Sequence, residues 1–269
     1  MSKIGFIGSG NMAEALIRGI LAAKLYAPQD VLISDVRPDR LEALHGEYGV
    51  TPAAGNVELA SQADVLVLAV KPQNFKQVLG EIGDAVRKDA LVISIAAGVT
   101  TARISAAVGD TEVIRVMPNT PALIGQGAAA MYSSNASSRS MEVAQKIFSA
   151  VGKVVVVADE SLIDAVTAVS GSGPAYFFLL MEAMIESAKT LGLSDDVART
   201  LVQQTAKGAA LLAETAAANG ETPADLRHRV TSPGGTTEAA LKIFRRLDFA
   251  NTVRAALKAA NDRSRELSA

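Results

Sequence analysis

The chain of 269 residues has no cysteine, no tryptophan, two histidines (His45 and His228) and a formal charge of −2. These counts exclude disulfides, zinc–thiolate and iron–sulfur sites and a cysteine nucleophile, and they leave a multi-histidine metal site without ligands. Balanced charge and an aromatic share of 4% give no electrostatic footprint or stacking platform for nucleic acid.

The length suits one large domain or two ordinary ones, with core enough to fold without staples. Mean hydropathy is +0.24, so a membrane segment has to be considered. The longest apolar stretch, residues 173–185 (GPAYFFLLMEAMI), carries Glu182 and falls short of the roughly 20 residues that span a bilayer. Asn11, Glu14 and Arg18 interrupt the N-terminal apolar run, against a signal peptide. The expectation is a soluble cytoplasmic protein with no membrane partner and unusually large buried surface.

Up to about residue 157, short apolar runs alternate with amphipathic segments. The predicted strands are 4–7, 31–34, 65–70, 91–96, 113–116 and 154–157. VLVLAV and LVISIA are apolar throughout, as in central strands covered on both faces. The predicted helices between them are 12–23, 39–47, 56–62, 74–86, 101–108 and 139–151. Such alternation predicts a Rossmann-type, doubly wound, mostly parallel sheet. After Ala158 no strand-like run appears. Helices are predicted at 162–170, 174–191, 195–219, 223–230, 236–247 and 249–265, with Pro174 and Pro223 in first turns, where a missing N–H costs little. The expected domains are a dinucleotide-binding domain at 1–158 and an all-α domain at 159–269.

The first strand runs into Gly8-Ser9-Gly10-Asn11-Met12-Ala13, a G-x-G-x-x-A turn between strand and helix. Gly8 permits the tight turn, Gly10 lets the backbone approach a pyrophosphate, and Ala13 keeps helix and strand close. The helix N-terminus then offers N–H groups to the phosphates. Ile7, Gly8, Ser9, Gly10, Asn11 and Met12 are therefore candidate cofactor residues. The second strand ends in Ser34-Asp35-Val36-Arg37. An acid there accepts the ribose hydroxyls of NAD, whereas a serine or arginine nearby can hold the 2′-phosphate of NADP. Both readings are open on the residues alone, as are a capping role for Asp35 and a solvated Arg37.

Five further stretches carry a resemblance: Ala69-Val70-Lys71-Pro72, SIAAG at 94–98, VMPNTP at 116–121, VSGSGPAY at 169–176 and TSPGGTT at 231–237. In this order the chain resembles the Δ1-pyrroline-5-carboxylate reductase family over essentially its whole length, and SGSGPAY and SPGGTT are the specific parts. The resemblance implies hydride transfer from NADPH, with NADH as an alternative, to the C=N of 1-pyrroline-5-carboxylate, giving L-proline in the last step of proline biosynthesis. It places Ala69, Val70, Lys71 and Pro72 along the cofactor, and Ala96, Ala97 and Gly98 beside the nicotinamide. Asn56 would reach the adenosine end near the 2′-phosphate, although it reads equally well as a helix N-cap. The family often carries a small polar residue where Asp35 stands, so Asp35 departs from an NADP pattern and Arg37 partly offsets that.

For the substrate, the resemblance and the physics of helix N-termini converge on SPGGTT. Ser232, Gly234, Gly235, Thr236 and Thr237 are expected to hold the carboxylate, with Asn119 closing the cleft. Thr237 is the expected catalytic residue, relaying a proton to the imine nitrogen. Ser170 and Gly173 are weaker candidates. Because the cofactor carries the hydride, few reactive side chains are needed, and no metal is expected. The apolar helices of the second half, with the resemblance, imply a homodimer, and the family includes larger rings, often of ten subunits. A hydroxyacid dehydrogenase is a rival reading, but its catalytic lysine would fall at Phe177 or Met181, which carry no proton. A non-catalytic dinucleotide sensor is the other rival.

Overall fold

The computed structural model describes residues 2–268. Two compact units emerge, one of residues 1–174 with 259–269 and the other of residues 175–258. This division falls later than the expected boundary at Ala158 and returns the end of the last helix to the first unit.

The first unit is built on an eight-stranded sheet. Its strands are β1 (Ile4–Ile7), β2 (Val31–Ser34), β3 (Thr51–Pro52), β4 (Val65–Leu68), β5 (Leu91–Ser94), β6 (Glu112–Met117), β7 (Gly127–Tyr132) and β8 (Gly152–Val156), in the order β3-β2-β1-β4-β5-β6-β7-β8. Strands β1 to β6 are mutually parallel, β7 is antiparallel to β6, and β8 runs parallel to β7. The helices are α1 (Asn11–Ala22), α2 (Pro38–Tyr48), α3 (Asn56–Gln62), α4 (Phe75–Ile82), α5 (Thr101–Val108), α6 (Ser138–Ser149) and α7 (Leu162–Val166).

Both faces of the sheet are covered, which explains the unbroken apolar strands. Alternate residues serve opposite cores. Phe6, Ile33, Val67 and Ile93 pack with Leu16 and Ile20 of α1 and Phe148 of α6. Ile7, Leu32, Leu66 and Val92 pack with Leu59 of α3, Phe75 and Leu79 of α4 and Ile104 of α5. Each fully buried side chain of this size contributes about 1.5–3 kcal/mol.

Two strands escape the sequence pattern. β3 is only two residues long, and β7 (GAAAMY) is alanine-rich and lacks the β-branched residues that signal a strand. β7 exists because β6 and β8 flank it and complete its ladders. The predicted 4–7 and 31–34 strands and 56–62 and 101–108 helices match the structure, whereas 65–70 and 91–96 stop two residues early, at Leu68 and Ser94.

The expected helix 162–170 is also corrected. α7 ends at Val166 and a π-turn follows over Thr167–Gly171, closed by the Ser172 N–H donating to the Thr167 carbonyl at 2.8 Å. Helix α8 (Gly173–Thr190) starts directly after it. The cause is chemical. In a continuous α-helix the Ser170 carbonyl would need the N–H of Pro174, which has none.

Helices α9 (Asp195–Ala217), α10 (Pro223–Arg229), α11 (Thr236–Arg246) and α12 (Phe249–Ser268) follow, within three residues of the expected bounds. Ser194 caps α9 through the Val197 N–H, and Thr222 with Asp225 forms a capping box on α10. On the single chain α8 leaves Phe177, Phe178, Leu179, Leu180 and Met184 exposed. The helical run 162–190 is long and apolar enough to cross a membrane by length and composition.

Candidate active site

The strand order reverses between β1 and β4, and the crevice outside their carboxyl ends is where ligands bind in such sheets. The predicted cofactor residues end or follow β1, β2, β4 or β5 at their carboxyl ends, apart from Asn56, which opens α3.

Gly8 leaves β1 with φ +89°, and a Cβ there would lie 2.9 Å from the Ala69 carbonyl carbon and oxygen. Only glycine lets the turn pass so close to β4. Ser9 is fully buried. Its N–H donates to Asp35 Oδ2 at 2.8 Å and its hydroxyl to the Ser34 carbonyl at 3.2 Å. Gly10 is the N-cap of α1 and no side chain caps it. A Cβ at Gly10 would meet nothing within 4 Å. The loop therefore leaves an open space, bounded by the uncapped first turn of α1, that fits a pyrophosphate. Ala13 is fully buried against the sheet.

An arginine that the sequence did not single out braces this loop. Arg40 Nε donates to the Ser9 carbonyl at 2.7 Å, and its other nitrogen pairs with Glu14. Tyr48 donates to Glu14 at 3.1 Å. The Arg40 hydrogen bond holds the Glu14 carboxyl below its ordinary range. No local motif marks Arg40, which lies 31 residues from Ser9 and meets it only through the parallel pairing of β1 with β2.

Beyond β2, Asp35 accepts the N–H groups of Ser9 and Arg37, at 2.8 and 3.0 Å, and approaches Arg37 Nε at 3.5 Å. The Asp35 side chain is 11% exposed and that of Arg37 57%. Asp35 does not cap α2, whose N-cap is Arg37. Asn56 is not the cap of α3 either, since that place belongs to Gly55. Asn56 instead accepts from Ser34 Oγ at 2.8 Å and donates to Glu81 at 2.9 Å. Lys71 and Pro72 are exposed beyond β4, and Val70 is half-buried. After β5, Ala96 is buried, Ala97 half-buried and Gly98 buried at φ +71°.

Asn119 is fixed by two hydrogen bonds. Its Nδ2 donates to the Ser170 carbonyl left free by Pro174, at 3.0 Å, and its Oδ1 accepts the Ala128 N–H at 2.8 Å. With both ends of its amide used and 8% exposure, Asn119 shapes the π-turn.

In the second unit, Ser232–Thr237 forms the turn that opens α11. Gly234 stands at φ +71° and Gly235 is the N-cap, again without a side-chain cap. Both glycine N–H groups are used internally. Gly235 donates to the Ser232 carbonyl at 3.0 Å and Gly234 to Glu238 at 2.9 Å. The Gly234 bond, with Lys242 beside it, lowers the Glu238 carboxyl below its ordinary range. The N–H groups left for an anion are those of the first turn, Thr236 to Glu238. Ser232 and Thr236 are exposed and Thr237 is half-buried. The histidines stand apart. Both are exposed, and His45 Nδ1 lies 2.8 Å from the Val50 carbonyl.

Comparison with known proteins places these features. Residues 160–267 match the family model for pyrroline-5-carboxylate reductase dimerisation. Residues 3–98 match the model described as NADP oxidoreductase, coenzyme F420-dependent. A pyrroline-5-carboxylate reductase of Pseudomonas aeruginosa is 46% identical over 267 residues, covering 98% of this chain and 96% of that protein. The chain belongs to the pyrroline-5-carboxylate reductase family. The solved structure of the Coxiella burnetii reductase superposes with a TM-score of 0.93 at 39% identity, covering 100% of this chain and 99% of that one. The Plasmodium falciparum pyrroline carboxylate reductase, solved with NADP bound, gives 0.88 at 30% identity, with 100% and 98% covered. Family members are oxidoreductases, and the expected architecture of a Rossmann-type sheet followed by a helical dimerisation region is the one found.

Proposed function

We propose that this chain reduces 1-pyrroline-5-carboxylate to L-proline with NADPH, and accepts NADH as well. The observation that carries the reading is the 46% identity to a reductase over 98% of the chain, and the uncapped helix N-termini that follow the glycine turn and SPGGTT support it. When bound, the reduced dinucleotide supplies a hydride. The protein's part is to hold and orient. The first turn of α1 offers its N–H groups to the pyrophosphate, and the small residues Ala96, Ala97 and Gly98 leave room for a flat ring. The first turn of α11 holds the substrate carboxylate, helped by the Ser232 and Thr236 hydroxyls. Thr237 presents its hydroxyl to the imine nitrogen and relays a proton that originates in solvent, since a threonine is too weak an acid to supply it alone.

Arg37, the more exposed member of its pair with Asp35, supports use of the 2′-phosphate, while Asp35 supports NADH. The exposed apolar face of α8 supports a homodimer as the working form, and a ring of ten subunits is the higher assembly the family resemblance suggests. That same face accounts for the apolar run 162–190 without a membrane, and we infer a cytoplasmic enzyme. The test is oxidation of NADPH and NADH followed at 340 nm on adding pyrroline-5-carboxylate. Turnover is expected with both. Folded protein that turns over neither would refute the reading and favour a dinucleotide sensor.

A further inference from the structure

The turn after β5 is held from two sides by segments distant in sequence. On one side Thr101, the first residue of α5, donates its N–H and its hydroxyl to Glu160, at 2.8 and 2.7 Å. Glu160 in turn pairs at 3.1 Å with Arg115, whose side chain is 2% exposed on β6. On the other side stands the last turn of α12. A Cβ at Gly98 would lie 2.6 Å from the Leu267 carbonyl oxygen, so that carbonyl rests directly on the glycine.

That last turn is itself anchored. Ser264 is the buried residue of α12, and its hydroxyl donates to Asp164 Oδ1 at 2.7 Å. Ser268 approaches the same oxygen at 3.4 Å. Asp164 is 7% exposed on α7, where a carboxylate requires hydrogen bonds, and serine hydroxyls of α12 provide them. Asp164 follows Glu160 by four residues, so one short segment holds the β5–α5 turn at two points, Thr101 directly and Gly98 through α12. The part of α12 after Lys258 belongs to the same compact unit as the sheet.

We propose that the last turn of α12 is a positioning element for the nicotinamide side of the cofactor site. Asp164 and Ser264 are its positioning residues: they hold the Leu267 backbone against Gly98 and so set where Ala96, Ala97 and Gly98 stand. The proposal rests on the reading of that turn as the nicotinamide wall. A segment matched to dimerisation thus also serves dinucleotide binding.

The experiment compares full-length Ser264→Ala, Ser264→Thr and Asp164→Asn with the parent. For each, binding of NADPH, binding of 2′,5′-ADP (the adenosine half alone) and the unfolding temperature are measured. Ser264→Ala is expected to weaken NADPH about tenfold, the scale of one hydrogen bond to a charged group, and Asp164→Asn, whose amide oxygen still accepts from Ser264, is expected to weaken it less; both should leave 2′,5′-ADP unchanged. Ser264→Thr, which keeps the hydroxyl, should bind both like the parent. Equal weakening of both ligands, or unchanged NADPH, would overturn the proposal. Ala97→Leu separates the two layers of the argument. If it weakens NADPH selectively while Ser264→Ala and Asp164→Asn do not, the positioning role fails and the nicotinamide wall stands. If Ala97→Leu affects neither ligand, the wall reading fails and the proposal with it.

Discussion

Replacing Gly10 by alanine should separate folding from cofactor binding. Gly10 has φ −70° and ψ −176°, which alanine adopts without strain, and the new methyl would meet nothing within 4 Å. Two small terms act on stability. Restricting the unfolded chain stabilises by about 0.4–1 kcal/mol, whereas alanine is a poorer N-cap than glycine by roughly 0.5–1 kcal/mol. They nearly cancel, so Tm should stay within about 3 °C of the parent. The methyl does, however, fill the space in which a pyrophosphate would approach the first turn of α1. Losing one charge-assisted hydrogen bond there costs about 1.5–3 kcal/mol, or roughly 10- to 150-fold in Kd. Gly8→Ala is the contrasting variant. There the φ of +89° and the 2.9 Å approach to the Ala69 backbone add about 1–2 kcal/mol of backbone strain and 1–3 kcal/mol of overpacking, so folding itself should suffer. Calorimetric titration with NADPH and thermal unfolding read the two quantities. A Gly10→Ala protein that binds NADPH like the parent, or that melts as early as Gly8→Ala, would refute the reasoning.

Three further outcomes are expected. Thr237→Ala should cut kcat/KM for pyrroline-5-carboxylate by about 10- to 100-fold, the scale of one lost hydroxyl contact or proton relay, while dinucleotide Kd stays constant; unchanged kinetics would move the proton path elsewhere. Asp35→Ser should raise the NADPH:NADH ratio of kcat/KM by removing a negative charge near the 2′-phosphate, and an unmoved ratio would mean that Asp35 does not face the ribose. The Glu14–Arg40 brace sets a pH limit. Its carboxyl is lowered in the folded protein by the Arg40 hydrogen bond, so the stabilisation is fully present above the ordinary carboxylate value and is lost as pH falls through the lowered folded value. Glu14→Gln should therefore be less stable than the parent at neutral pH and converge with it in acid, and parallel unfolding curves across that range would exclude the brace.

Much of this molecule was legible locally. Unbroken apolar runs such as VLVLAV suited strands covered on both faces, and the turn at Gly8–Ala13 needed just one strand and one helix to acquire meaning. The helices after Ala158 announced themselves by spacing and by Pro174 and Pro223. The interruption at Thr167–Gly171 was also written in the sequence, because Pro174 cannot donate to the Ser170 carbonyl, but its answer was not. That answer is Asn119, 51 residues away.

Other features depended on partners remote in the chain. GAAAMY became β7 because two flanking strands supplied its ladders. Arg40 reached Ser9 because β1 and β2 lie in parallel register. Gly234 and Gly235 spend their N–H groups on Glu238 and Ser232, which leaves the N–H groups of the first turn of α11 open. The Leu267 backbone settled on Gly98 through a buried acid on α7. Periodicity, turns and caps are short-range properties, fixed by sterics within a few residues. Which donor meets which acceptor across the sheet is fixed only when the chain closes on itself, and there the tertiary structure decided.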